Sequence, residues 1–242
     1  MPHPYVQGMG PASTRPTLVL LPGLDGTGKL FSEFVKSLGS SVESLIVSYP
    51  KDRPLGYDEL ESLVLAALPR DRRYIVLGES FSGPIAIRIA ARRPAGLAAL
   101  MLCASFAKNP FPWLGWARPL AAYLPLKSLP RWVRAPLMWG SASPLRAPAQ
   151  MERAMAGVAH EVIRRRIGAL LAVDETAALA RLHLPILVLE AAHDRVIPAA
   201  ASRRILRAQP GAQLAQIHGP HLLLQTRPTE CAAAVLQFID AL

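Results

Sequence analysis

The chain has 242 residues, of which 51% are hydrophobic and 6% aromatic, with 23 scattered prolines, so it can bury a core of ordinary size and holds no long disordered segment. Its longest uncharged apolar run, Leu97 to Ala107, is too short for a bilayer, and the start MPHPYVQGMGPASTRP lacks the basic and apolar parts of a secretory signal. The formal net charge is +10, yet no recognition motif or aromatic-interleaved basic stripe accompanies it, which argues against nucleic acid as a partner.

Residues 1–16 read as a loose arm. Thr17 to Leu21 (TLVLL) is an apolar strand buried on both faces, followed by GLDGTG, where three glycines in six residues allow backbone to approach a ligand closely. A helix from Lys29 to Leu38 places Leu30, Phe31, Phe34, Val35 and Leu38 on one face. Val42 to Tyr49 reads as a second strand and Asp58 to Leu68 as an amphipathic helix closed by Pro69. Tyr74 to Leu77 is the third strand, Ser82 to Ala91 the helix after it, and Leu97 to Cys103 the fourth strand.

The alternation then stops. From Ser105 to Leu182 there is no clear strand; helical patterns run from Ala147 to Leu171 and from Glu175 to Leu182, and all four tryptophans lie in this stretch with Phe106 and Phe111. It resumes with a strand at Ile186 to Glu190, a helix at Ala199 to Ala208, a strand at Gln213 to Ile217 and a helix at Pro228 to Leu242. The expectation is an α/β fold with about six mainly parallel strands flanked by helices. The core is residues 17–104 and 183–242, and residues 105–182 are a helical insertion after the fourth strand.

Chemistry gathers at three strand ends. In YIVLGESFSG a buried strand runs into Gly78, Ser80 tops a tight turn and a helix follows, an arrangement that exposes a serine hydroxyl beside the N–H groups of a helix start. Asp194 lies four residues past one strand in AAHDRVIP, and His221 four past another in HGPHLLLQTRP. Ligands bind outside the carboxyl ends of a parallel sheet, so the three can meet there. Each has a rival. Ser82 as nucleophile would put Ser80 and Pro84 where small residues are needed, Asp174 is read as a cap for the helix at Glu175, and His218 ends its strand directly. His3, His160, His183 and His193 read as surface or loop residues, and Cys103 and Cys231 as small core residues. No group of residues has metal-ligand spacing.

These motifs together resemble the α/β-hydrolase superfamily of serine esterases, lipases, thioesterases and acyltransferases. The resemblance runs from Thr17 to the C-terminus and rests on LLPGLDGTG, GESFSG, HDRVIP and GPHLLLQTRP in that order. It implies a carboxylic ester hydrolase without cofactor or metal. Ser80 would be the nucleophile, His221 the base, Asp194 its orienting acid, and the backbone N–H groups of Leu24 and Phe81 the oxyanion hole. Gly23, Leu24 and Phe81 would contact the substrate. Two departures stand out: Ser82 occupies the last position of G-x-S-x-G, with Gly83 one place later, and Pro22 stands where many relatives have His, so the anchorage of that loop is open.

The insertion resembles the superfamily's lid, and its Trp and Phe content points to an apolar acyl or alkyl group in a small-molecule ester. Between Ala104 and Leu182, 11 Lys and Arg face four Asp and Glu, a net +7. Such a surface is either a solvated Arg-rich face or a dock for an acidic acyl carrier protein, as in pimeloyl-carrier-protein methyl ester esterases. Thioesterase or acyltransferase activity, and a non-catalytic binding protein on the same fold, are the other readings. The expected location is cytoplasmic.

Overall fold

The computed structural model describes residues 15–114, 136, 138–140 and 147–242. Six parallel strands form one sheet: β1 (Thr17–Leu21), β2 (Ser44–Ile46), β3 (Tyr74–Glu79), β4 (Leu97–Cys103), β5 (Ile186–Ala191) and β6 (Gln213–Ile217), ordered β2-β1-β3-β4-β5-β6. Both faces of the sheet are covered, which is why its central strands are apolar at successive positions. Leu18, Leu20, Ile75, Leu77, Ala99 and Met101 face α1 (Ser32–Leu38) and the C-terminal helix. Val19, Val76, Leu100 and Leu102 face α2 (Tyr57–Ala67) and α3 (Gly83–Ala91) in a second apolar layer.

After β4 come α4 (Ala147–Ala156), α5 (His160–Leu170) and α6 (Thr176–Ala180), then β5, α7 (Ala199–Ala208), β6, a short α8 (Leu223–Thr226) and α9 (Pro228–Asp240). The helix expected over Ala147 to Leu171 is therefore two. The break falls at Gly157–Ala159, where Ala159 N–H leaves the helical pattern to donate to Lys51 O (2.8 Å). Among the described residues of 105–182, β pairing is limited to an isolated antiparallel bridge between Lys108 and Asp174.

Two strands differ in length from their sequence patterns. Only Ser44–Ile46 of the run Val42 to Tyr49 pairs, because β1 ends at Leu21 and the chain beyond Ile46 meets the following loop instead: Tyr49 N–H donates to Gly26 O (2.7 Å). β3 extends two residues past Leu77, with Gly78 and Glu79 in register with Leu102 and Cys103, so Glu79 is still strand when Ser80 begins the turn. Arg15 ties the start of the described chain to Ser41 O and, through an ion pair of 2.6 Å, to Asp240; the rest of the expected arm lies outside the described residues. Cys103 and Cys231 are free and buried in the same apolar layer. Among the described residues, no helix is long and apolar enough to cross a membrane.

Candidate active site

The strand-to-helix turn at Ser80 is tight. Ser80 adopts a left-handed φ of 49°, a conformation most side chains avoid and which persists only where its surroundings impose it. A side chain on Gly78 would come 2.7 Å from Ser82 O and 2.9 Å from Ala86 Cβ, and one on Gly83 would reach 1.8 Å from Ser105 Oγ. Glycine is thus required at both positions for strand, turn and helix to close up. Two hydroxyls hold the turn from behind: Ser105 Oγ donates to Ser80 O (2.6 Å), and Tyr57 Oη donates to Phe81 O (3.0 Å) while its ring stacks on the Phe81 ring at 4.8 Å.

Ser80, His221 and Asp194 form one hydrogen-bonded line. Ser80 Oγ lies 3.0 Å from His221 Nε2, and His221 Nδ1 lies 2.8 Å from Asp194 Oδ2. An ionised carboxylate only accepts, so Nδ1 carries the ring hydrogen and the Nε2 lone pair faces the serine hydroxyl. Asp194 Oδ1 is occupied by the N–H groups of Val196 (2.7 Å) and Ile197 (2.8 Å), which fixes the carboxylate on its own loop. The side chains of His221 and Asp194 are 3% and 7% exposed, so little water competes for the pair.

The rival residues are engaged elsewhere. Ser82 Oγ bonds Tyr49 Oη (2.6 Å) and Pro22 O. Asp174 lies one residue before the N-cap position of α6, Glu175, where it accepts from Thr176 N–H (3.1 Å) and pairs with Lys108 (2.7 Å). His218 is exposed and packs against His193.

The loop after β1 passes directly over Ser80: a side chain on Gly23 would lie 3.9 Å from Ser80 Cβ. Five consecutive carbonyls of this loop accept hydrogen bonds. Pro22 O takes Ser82 Oγ; Gly23 O takes Gly26 N–H (3.0 Å); Leu24 O and Asp25 O both take Arg166 Nη1 (2.8 and 3.0 Å); and Gly26 O takes Tyr49 N–H. In a trans peptide the next N–H points away from the carbonyl, so Leu24 N–H is directed opposite the bonded Gly23 O. Without His at position 22, the loop is anchored by Ser82, Tyr49 and Arg166.

Glu79, Gln225 and Arg166 escaped the sequence reading. Glu79 is buried beneath the serine, where Gln225 Nε2 donates to it (2.9 Å); burial, and next the charge of Asp25, outweigh the Gln225 and Gly23 N–H bonds and His221, lifting its pKa from 4.5 to about 7. Arg166, from α5, is fully buried; its Nη2 also donates to Pro50 O (3.0 Å) and its guanidinium lies over the Tyr49 ring at 5.6 Å. The available signal was its helical position: Val162, Ile163, Arg166 and Ile167 share the buried face of α5, so the arginine stands in the apolar stripe.

Of the expected aromatics of the insertion, Trp139 is buried beside Leu222, whose N–H donates to Met138 O (3.1 Å), and Trp113 is 60% exposed. Trp116 and Trp132 lie outside the described residues, as do Arg118, Lys127, Arg131, Arg134 and Arg146 of the basic stretch on which a carrier-protein dock was read. Among the described residues, no group of three or more His, Cys, Asp or Glu could hold a metal. A surface groove of about 280 Å³, lined by Ala90, Leu97, Leu182 and Leu184 among others, sits at the amino ends of β4 and β5, the opposite end of the sheet from Ser80.

The family model described as "Alpha/beta hydrolase family" matches residues 18–234. A curated relative from Caulobacter sp. (strain K31), named "Putative carbamate hydrolase RutD", is 27% identical, covering 96% of this chain and 93% of its own. Among solved structures, the enol-lactonase from Burkholderia xenovorans LB400 superposes with a TM-score of 0.84 at 20% identity, covering 98% of this chain and 96% of the other. A thermophilic esterase from Thermogutta terrifontis gives 0.77 at 17% identity, covering 95% of this chain and 91% of the other. These structural likenesses concern the fold.

Proposed function

The chain belongs to the alpha/beta hydrolase family, and from that membership we propose that it is a serine hydrolase cleaving carboxylic esters of apolar acyl or alkyl groups through an acyl-enzyme. The observation that carries the reading is the hydrogen-bonded line Ser80 Oγ, His221 Nε2, His221 Nδ1, Asp194 Oδ2, at 3.0 and 2.8 Å.

Resting serine is a weak nucleophile, so His221 takes the Ser80 proton as Oγ attacks the ester carbonyl. Asp194 orients the ring and stabilises the imidazolium that forms. The tetrahedral oxyanion is held by the N–H groups of Leu24 and Phe81, each donor lowering the barrier by roughly 2.7 to 4 kcal/mol. His221 returns the proton to the departing alkoxide, and the acyl group stays on Ser80. A water then loses its proton to His221 and attacks the acyl carbonyl, releasing the acid and restoring the Ser80 hydroxyl.

Serine at the turn favours this route over those that use an Asp nucleophile, and the names of the relatives point the same way. A carbamate, an enol lactone and an ester all present a carbonyl bonded to a heteroatom leaving group. The insertion, which meets the histidine loop at Trp139 and Leu222, is the natural cover for the acyl chain.

Hydrolysis of nitrophenyl esters by Ser80→Ala tests the proposal. Turnover should fall at least about a thousandfold, since removing a member of such a triad leaves only binding and oxyanion stabilisation. Retention of wild-type turnover by pure variant protein would refute it.

A further inference from the structure

Arg166 is the one fully buried charged side chain among the described residues, and among those residues no carboxylate forms an ion pair with it. Taking a guanidinium out of water is costly, and burial outweighs the nearby Tyr49 and Asp25 to hold its pKa below the ordinary value. Such a group persists where its hydrogen bonds are needed. Arg166 spends them on three backbone carbonyls, Leu24 O, Asp25 O and Pro50 O, at 2.8 to 3.0 Å. Two of these belong to the loop that crosses Ser80.

The loop is a turn closed by Gly26 N–H on Gly23 O, so the peptide between Leu24 and Asp25 is its central one. Leu24 N–H lies on the peptide before it, so Leu24 joins that donor to the central peptide, whose carbonyl is Leu24 O. Arg166 Nη1 holds that carbonyl and the next, while Gly26, at a left-handed φ of 70°, leaves the guanidinium its space: a side chain there would stand 2.5 Å from Nη1. The arginine comes from α5, 142 residues beyond Leu24 in the chain, and nothing else from residues 105–182 bonds to this loop among the described contacts.

We propose that Arg166 is a positioning residue for the oxyanion loop: by fixing Leu24 O, Asp25 O and Pro50 O, its guanidinium holds in place over Ser80 the segment that carries Leu24 N–H, the donor to the carbonyl oxygen of the substrate. Helix α5 is thereby part of the catalytic frame, not a movable cover. The proposal rests on the serine-hydrolase reading above. It predicts a defect confined to the transition state, because a loop that rotates away from the oxyanion loses nothing in the ground-state complex.

The test uses Arg166→Lys and Arg166→Met in the full chain, with nitrophenyl esters and with an alkyl trifluoromethyl ketone, which forms a tetrahedral oxyanion on a serine nucleophile. Expected is a fall in kcat of about 10- to 100-fold with KM within threefold, and a loss of ketone affinity by the same factor. Arg166→Lys, which keeps the cation and reaches fewer carbonyls, should fall between wild type and Arg166→Met. Either folded variant with wild-type kcat and ketone affinity would overturn the proposal. So would failure of both variants to fold, which would make Arg166 a core residue alone. The underlying reading fails differently: then Ser80→Ala would keep its activity and the wild-type protein would not bind the ketone.

Discussion

Glu79 stands one residue before Ser80, at the end of β3, with its carboxyl buried and tied to Gln225. Burial disfavours its charged form and raises its pKa from 4.5 to about 7. The unfolded chain therefore releases this proton near pH 4.5, and the folded chain keeps it until about pH 7. Between those values the folded state binds more protons, so its stability falls as pH rises, with no penalty below 4.5 and a full penalty above 7. A shift of this size corresponds to about 3 kcal/mol. Glu79→Gln removes the titration and keeps a side chain able to meet Gln225. In urea unfolding, the variant should gain on wild type between about pH 5 and about pH 8, by up to about 3 kcal/mol. A difference that stays constant across this range would show that the folded protein does not hold the Glu79 proton. The sequence hid this residue because Gly78 and Glu79 are poor strand formers, yet their parallel pairing with Leu102 and Cys103 carries the strand to the edge of the turn.

At the level of elements, the serine turn depends on close contact between α3 and the chain after β4. Gly83 opens α3 against Ser105, whose hydroxyl holds Ser80 O. A methyl group at Gly83 would stand 2.9 Å from Ser105 Cβ and 3.2 Å from Phe106 O, contacts that rotation of the Ser105 hydroxyl does not relieve. Gly83→Ala should cost about 1 to 3 kcal/mol in denaturant unfolding and should also lower esterase turnover, because the turn that presents Ser80 must shift. In a Ser105→Gly background the stability cost should shrink; an equal cost in both backgrounds would remove the contact from the account. The same scale shows which elements were legible. Ala199–Ala208 and Gln213–Ile217 could be read to the residue, since each has one clean period bounded by Pro198 or Gly211. β2 could not, because its apolar run continues into Val47 and Tyr49, which are buried in the apolar layer of α2 and α3 although the paired strand ends at Ile46. Nor could the break within residues 147–171, where Gly157 was the available warning.

For the whole molecule, six parallel strands alternating with helices, and a helical stretch after the fourth, were accessible from alternation and motif order alone, whereas the order β2-β1-β3-β4-β5-β6 and the make-up of the two apolar layers were not. What alternation could not convey is how the insertion engages the core. It is tied to the histidine loop through Met138 and Leu222 and to the loop after β1 through Arg166. Charge counting placed that arginine on a solvated or partner-facing surface, since composition does not distinguish a buried guanidinium bonded to carbonyls from one in water. The central claim, that Ser80 carries the acyl group, is tested most directly by trapping it. Wild-type protein turning over a nitrophenyl ester, quenched in acid and digested, should give a peptide spanning Ser80 that is heavier by the acyl group, and the adduct should be absent from Ser80→Ala. Turnover with the acyl group found on another residue, or on none while the ester is still hydrolysed by the Ser80→Ala variant, would contradict it.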